Sequence, residues 1–350
     1  MTQPTLFKVF LLGLPIGLAL IGGGSLLVHS LRGKGGETEG KAAAQRRSVA
    51  QADLKFFIER LAKDIGPRPA GDPAALRKTR AFIEGLLAQN NFGYPEVKRQ
   101  NYAAGSGEWT NLSVEIPGSD PARRGEIVLV AARCDTAALS PGANSSGSGL
   151  AALLSLAQAF VGTQHERTLR FVAFGNSLPP LTAPNATGAA ACAAAAQTRG
   201  EKLAGVLVLG SLGCFRQGAG TQQPASPNGL AWPTEGNFIA LLGCGAETPF
   251  QKELAAGFAA ASTVPLASGF SPTALAGPEF SDLWAFHALG FPAVLLTDTG
   301  PFRSPDFQLF SDTPEKIDLA QLTQVTKGIE RALRDVLNPR QTSPVTSGAP

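Results

Sequence analysis

Apolar positions along this chain follow two rhythms in turn. Leu54, Phe57, Ile58, Leu61 and Ile65 recur at helical spacing and predict a helix, which the turn residues of Gly66-Pro-Arg-Pro-Ala-Gly71 stop. A second helical pattern over residues 74–89 leads through the Asn90, Asn91 and Gly93 turn to a strand near Val97. Short apolar runs of the kind that buried strands need follow at residues 127–132, 169–174, 206–209, 238–242 and 293–297. Helical patterns lie between several of them, at 149–160, 248–261 and 281–289, and a closing helix spans 314–337. Strand alternating with helix predicts an α/β fold: a three-layer sandwich whose central sheet is mixed but mostly parallel, with right-handed crossovers.

Residues 9–28 are a different case: twenty positions without a charge. At helical rise they cover roughly 30 Å, one hydrocarbon core, and predict one N-terminal transmembrane helix in a single-pass membrane protein. A cleaved signal peptide is the alternative, with Lys8 in its charged start and the small residues around Gly22 to Ser25 as the processing site. The apolar run exceeds the usual h-region of about 7–15 residues, which favours the anchor. The layout that results is an anchor at 1–30, a flexible linker at 31–48, an α/β domain at 49–338 and a disordered tail at 339–350.

Composition narrows the classes. With 350 residues and 44% apolar content the chain is long enough to bury a large core. A net charge of +3, with no dense Lys/Arg block carrying interleaved aromatics, argues against a nucleic-acid partner. Cys134, Cys192, Cys214 and Cys244 show no C-x-x-C spacing. Cys214 and Cys244 each follow a candidate strand and could meet, with free buried thiols the simpler reading. The three histidines, His29, His165 and His287, form neither a His-x-x-x-His pair nor a His-x-Asp, so ordinary surface or core roles suit them better than metal ligation.

The strand at 127–132 ends in Arg133-Cys134-Asp135, then comes Pro141-Gly-Ala-Asn-Ser145-Ser-Gly-Ser-Gly149 at the start of a helix. This segment resembles that of the di-zinc aminopeptidases, bacterial leucyl-aminopeptidase-like metallopeptidases related to glutamate carboxypeptidase, transferrin receptor and glutaminyl cyclase. Their segment reads strand, His-x-Asp, loop, Pro-Gly-Ala-Asn-Asp, helix. The likeness continues through the Gly-Pro-Arg loop at 66–68, Asn111 to Gly118, Arg167 to Pro180, Val206 to Gly213, and the stretches around Phe280, Gly290, Phe302 and Asp312.

The resemblance implies a zinc-dependent exopeptidase fold, and it also locates what has been replaced. The His ligand position holds Arg133 and the bridging Asp position Ser145. The general-base and ligand Glu pair is Ser177 and Leu178, the second-zinc acid is Gly210, and the closing His is Gln308. Asp135, which in the family orients the ligating His, is retained. Zinc needs imidazole or carboxylate donors, and its bound water needs a base. Arg133, Leu178 and Gly210 offer no such donor, Ser177 is a poor base, and one neutral oxygen from Gln308 cannot build a site. No cofactor is therefore expected.

Since residues two apart on an extended segment share a face, Arg133 and Asp135 are expected either to pair, the guanidinium partly replacing the metal's charge, or to point to water and cap a loop respectively. Gly147-Ser-Gly149-Leu-Ala-Ala152 matches a dinucleotide fingerprint only superficially, because the preceding strand ends too early and no acidic residue follows the next one. Ser145, Ser146 and Ser148 lack the flanking glycines of a nucleophile elbow and are expected to cap the helix near Gly149.

The expectation is thus a membrane-tethered pseudopeptidase acting as a binding, assembly or regulatory module, with a peptide or protein partner at the former active-site cleft. The alternative is an active metallo-aminopeptidase or other hydrolase using displaced ligands in that cleft. On the positive-inside rule Arg32, Lys34, Lys41, Arg46 and Arg47 after the span place the body in the cytoplasm. The resemblance favours an extracytoplasmic body instead.

Overall fold

The structure is a computed structural model that describes residues 48–105, 107–178, 186–223, 232–271 and 280–339. The expected anchor at 9–28, the linker to residue 47 and the tail from residue 340 lie outside the described residues. Among the described residues no helix is long and apolar enough to cross a membrane.

Eight strands form one mixed sheet: β1 (Lys98–Ala104), β2 (Gly107–Ile116), β3 (Glu126–Arg133), β4 (Thr168–Phe174), β5 (Lys202–Leu209), β6 (Ile239–Cys244), β7 (Leu266–Ser271) and β8 (Ala293–Thr297), ordered β1-β2-β4-β3-β5-β8-β6-β7. The central four, β4, β3, β5 and β8, run parallel. The antiparallel β1–β2 hairpin extends one side, and β6, antiparallel to β8 and parallel to β7, extends the other.

Helices cover both faces, which is why the central strands read as unbroken apolar runs. They are α1 (Gln51–Glu59), α2 (Pro73–Leu87), α3 (Gly149–Phe160), α4 (Gly188–Thr198), α5 (Pro249–Ala259), α6 (Ser281–His287) and α7 (Leu319–Leu337). Along β3 the side chains alternate: Val128, Val130 and Ala132 face a layer made by α1, α2, α3, α5 and α7, while Ile127, Leu129 and Ala131 face α4 and α6.

Several boundaries differ from the sequence expectation for identifiable reasons. The first helix widens into a π-helical turn, Arg60–Ile65, before Gly66 at φ +81° ends it. The closing helix starts at Leu319, where Asp318 caps it by accepting from the Gln321 N–H at 3.0 Å; Pro314–Lys316 forms a separate 3-10 turn. The α4 helix was not expected, because its run of alanines carries no apolar periodicity; Thr187 caps it at the Ala190 N–H. The four cysteines are free thiols.

A tight backbone joint lies where α3 meets the carboxyl end of β5. A Cβ on Gly149 would stand 2.2 Å from the Gly210 carbonyl oxygen and 2.7 Å from that of Leu209, so only glycine lets the helix start that close to the strand. Gly149→Ala is therefore expected to lower unfolding free energy by about 2–3 kcal/mol through overpacking against rigid backbone, measured by urea denaturation against wild type.

Candidate functional site

The carboxyl ends of the parallel strands are where an open α/β sheet gathers chemistry, and the seven positions singled out by motif fall on this edge or the loops that leave it. Arg133 ends β3, Ser177 and Leu178 follow β4, Gly210 follows β5, Ser145 sits in the π-helical turn Ala143–Ser148 before α3, and Gln308 lies in the loop after β8. Arg133, Asp135, Ser145, Ser177 and Leu178 are all buried.

Asp135 is fixed by the loop after β4. Its Oδ2 accepts the backbone N–H groups of Ser177 and Leu178, both at 2.9 Å, and its own carbonyl accepts the Ser146 hydroxyl at 2.6 Å. Arg133 was expected either to pair with Asp135 or to point to water; it does neither, being buried and paired with Asp282. The Arg133 Nη2 atom stands 3.1 Å from Oδ2 of Asp282, near the start of α6, with both side chains buried. The expectation failed because β3 ends at Arg133: beyond it the chain turns, so the same-face rule for extended residues no longer holds.

One guanidinium thus stands among two buried carboxylates. Burial pushes the Asp135 carboxyl up to about 6, and Asp282 pushes the same way, against the two N–H donors and Arg133. Burial likewise raises Asp282, opposed first by Arg133. Ser177 favours its ionised form from nearby, yet its hydroxyl completes no hydrogen bond.

The expected capping of α3 by serine hydroxyls is corrected too. Asp312 does that work, its two carboxylate oxygens accepting the N–H groups of Asn144 at 2.7 Å and Ser145 at 3.0 Å. The Ser148 hydroxyl instead donates back to the Asn144 carbonyl at 2.7 Å. Asp298, just beyond β8, accepts from Asn144 Nδ2 (2.8 Å), the Ser211 hydroxyl (2.6 Å) and the Cys214 N–H (2.7 Å).

Arg68, from the Gly-Pro-Arg loop, is fully buried. Its Nη1 donates to the carbonyls of Leu61, Gly66 and Pro141, and its Nε to that of Cys134. The structural roles of Arg68, Asp282, Asp298 and Asp312 were not read from the sequence. All four stand inside stretches that carried the resemblance, and that was the available signal.

Comparison with known proteins agrees with this geometry. Residues 111–176 match the model of peptidase family M28, a match that includes Arg133, Asp135 and Ser145 and ends one residue before Ser177. The uncharacterized protein YfbL of Escherichia coli (strain K12) is 24% identical over 293 residues, covering 81% of this chain and 87% of its own length. The aminopeptidase from Aneurinibacillus sp. strain AM-1 superposes with a TM-score of 0.65 at 15% identity, over 84% of this chain and 96% of that one. BSAP, a zinc aminopeptidase from Bacillus subtilis, gives 0.64 at 13% over 85% and 98%, and the Fimbriiglobus ruber glutaminyl cyclase 0.58 at 20% over 82% and 95%. The chain has the fold of the zinc aminopeptidases and glutaminyl cyclases, and residues 111–176 are similar to peptidase family M28. The resemblance read from its motifs holds, with the ligand positions replaced.

The residues present do not fit a zinc pair. Where an imidazole would donate, a guanidinium lies in ion-pair contact with a carboxylate. A Cβ at Gly210 would already stand 3.3 Å from the Leu295 side chain and 3.4 Å from the Leu296 carbonyl. Among the described residues no cluster of three or more His, Cys, Asp or Glu side chains could hold a metal ion.

Two outcomes follow from the charge arrangement. Arg133→Met leaves Asp135 and Asp282 buried without their cation, and is expected to cost about 3–5 kcal/mol of stability; an unchanged melting temperature would show that the pair contributes nothing. For Asp135 the folded value lies above the unfolded one, so its charged form opposes folding at neutral pH. Stability is gained as pH falls through about 6 toward the ordinary carboxylate range. Between pH 7.5 and pH 5, wild type should therefore gain on the order of 1 kcal/mol relative to Asp135→Asn, read from paired urea melts at each pH.

Proposed function

We propose that this chain is a membrane-tethered, catalytically inactive relative of the zinc aminopeptidases that serves as a binding, assembly or regulatory module. One observation carries the reading: the Arg133 guanidinium, paired with buried Asp282, stands at the family's histidine position, beside a serine at the base position. A cation fixed there opposes entry of a metal ion, and Ser177 cannot take a proton from water at neutral pH. The apolar span at 9–28 supports the tether, and the proposed placement of the body is extracytoplasmic, as in the resembled family.

A peptide or protein partner is proposed over the former cleft. Supporting this, the loops above the buried centre carry exposed apolar tips: Leu139 is 80% exposed, Phe310 79% and Leu309 50%. The two loops are joined through Asp312, whose carbonyl accepts the Ala143 N–H at 3.0 Å while its carboxylate holds Asn144 and Ser145. An exposed apolar cluster on such joined loops suits a partner surface better than it suits water.

Purified full-length protein, assayed for bound zinc and for hydrolysis of a panel of aminoacyl anilides, tests the reading. The expected outcome is substoichiometric zinc and no turnover above that of a protein-free blank. Stoichiometric zinc with turnover abolished by a chelator would overturn it.

A further inference from the structure

The same sheet edge has a second face. There α2, the β1–β2 hairpin and the ends of β3 and β4 enclose a groove of about 590 Å³, a volume in the range of sites for small molecules. Its walls are mainly apolar or small, with Leu76, Leu112 and the indole of Trp109 among them, and the Cys134 side chain closes part of the floor. Trp109 is held in place by its Nε1–H, which donates to the Ala104 carbonyl at 3.1 Å. Cys134 lies on the side of β3 that faces α1, α2 and α3, opposite to the face shared by Leu129 and Ala131. The groove is therefore separate from the Arg133–Asp282 pair.

Two guanidiniums line this groove, Arg77 and Arg80, one helical turn apart on α2. Arg80 donates to the Thr110 hydroxyl at 3.1 Å, a neutral partner. The acid that helical spacing would offer it, Glu84, is committed to Arg99 through two hydrogen bonds, one of them at 2.8 Å. Among the described residues neither Arg77 nor Arg80 meets a carboxylate at ion-pair distance. Glu108 also lines the groove, so two cations stand against one anion and the excess is positive. An excess of cations in a largely apolar concavity defines a complementary ligand: a negative head group with a flat apolar body.

We propose that this groove binds a small organic anion, a carboxylate or phosphate carried on an apolar or aromatic body. Arg77 and Arg80 take the head group, and Trp109 with Leu76 and Leu112 take the body. The site requires nothing of the former metal centre and stands or falls independently of the pseudopeptidase reading.

Calorimetric titration of the full-length protein tests it with four probes: phenyl phosphate, 3-phenylpropionate, inorganic phosphate as head group alone and benzyl alcohol as body alone. At least one aryl anion should bind more tightly than either fragment; tighter binding of phenyl phosphate assigns a phosphate head group, and of 3-phenylpropionate a carboxylate. The double variant Arg77→Gln/Arg80→Gln should bind the aryl anion about tenfold or more weakly while still unfolding in one cooperative transition. Glu108→Gln should strengthen binding, a change in the opposite direction that loss of folding cannot mimic. No binding by wild type, or equal affinity in wild type and the double variant, would overturn the proposal.

Discussion

The parallel centre of the sheet sends four strand ends and their loops to one edge, and the polar backbone groups released there lie too deep for water to serve them. That edge has to be closed from within, and every buried polar group on it needs a partner. Here buried ionic side chains do the closing. Arg68 gathers carbonyls from the turn after α1 and from the segments after β3. Asp135, Asp298 and Asp312 collect N–H groups from the loops after β4 and β5 and from the turn before α3. Each loop is located by a charge from a different part of the chain, so the positions of Arg133, Ser145 and Ser177 follow from that network.

Charge balance explains why the replaced positions go together. In the resembled family two divalent cations sit among acidic ligands and a general base. The acidic positions given up here, Ser145, Ser177, Leu178 and Gly210, are as many as the positive charges of two such ions. Losing the cations while keeping those acids would leave several buried carboxylates uncompensated, at several kcal/mol each. On the proposed reading, where both are lost together, Asp298 and Asp312 are held by hydrogen-bond donors and Asp135 and Asp282 stand beside one arginine. The remaining imbalance is visible in the direction both carboxyls shift, upward under burial and only partly offset by Arg133.

How much of this was legible in the sequence depends on the range of the interaction that decides each feature. Strands β3, β4, β5 and β8 were readable because covering on both faces makes them continuously apolar. The outer strands β1 and β7 are only partly buried, so their pattern is weak, and β7 was not expected. The α4 helix is set by Thr187 and by packing against β4, which no periodicity in an alanine run reveals. At the site, the motif located all seven positions, but no local rule pairs Arg133 with Asp282 on a helix far along the chain. The two-residue rule that pointed to Asp135 does not carry past the end of the strand at Arg133.

A centre closed by its own side chains also changes what the surrounding loops must do. Among the described residues the edge is held by side-chain hydrogen bonds, and Asp298 and Asp312 both join the turn before α3 to the loop after β8. The loops after β3 and β8 also contain Leu139 at φ +65°, Thr299 at φ +60° and Gln308 at φ +60°, conformations that L side chains rarely adopt, at a cost of order 1 kcal/mol or more each. Closing the edge does not require Leu139 or Phe310 to face water. Loops that serve only as covers relax toward polar, unstrained turns. These two loops keep exposed apolar side chains above a buried polar centre, on the surface where a partner is proposed.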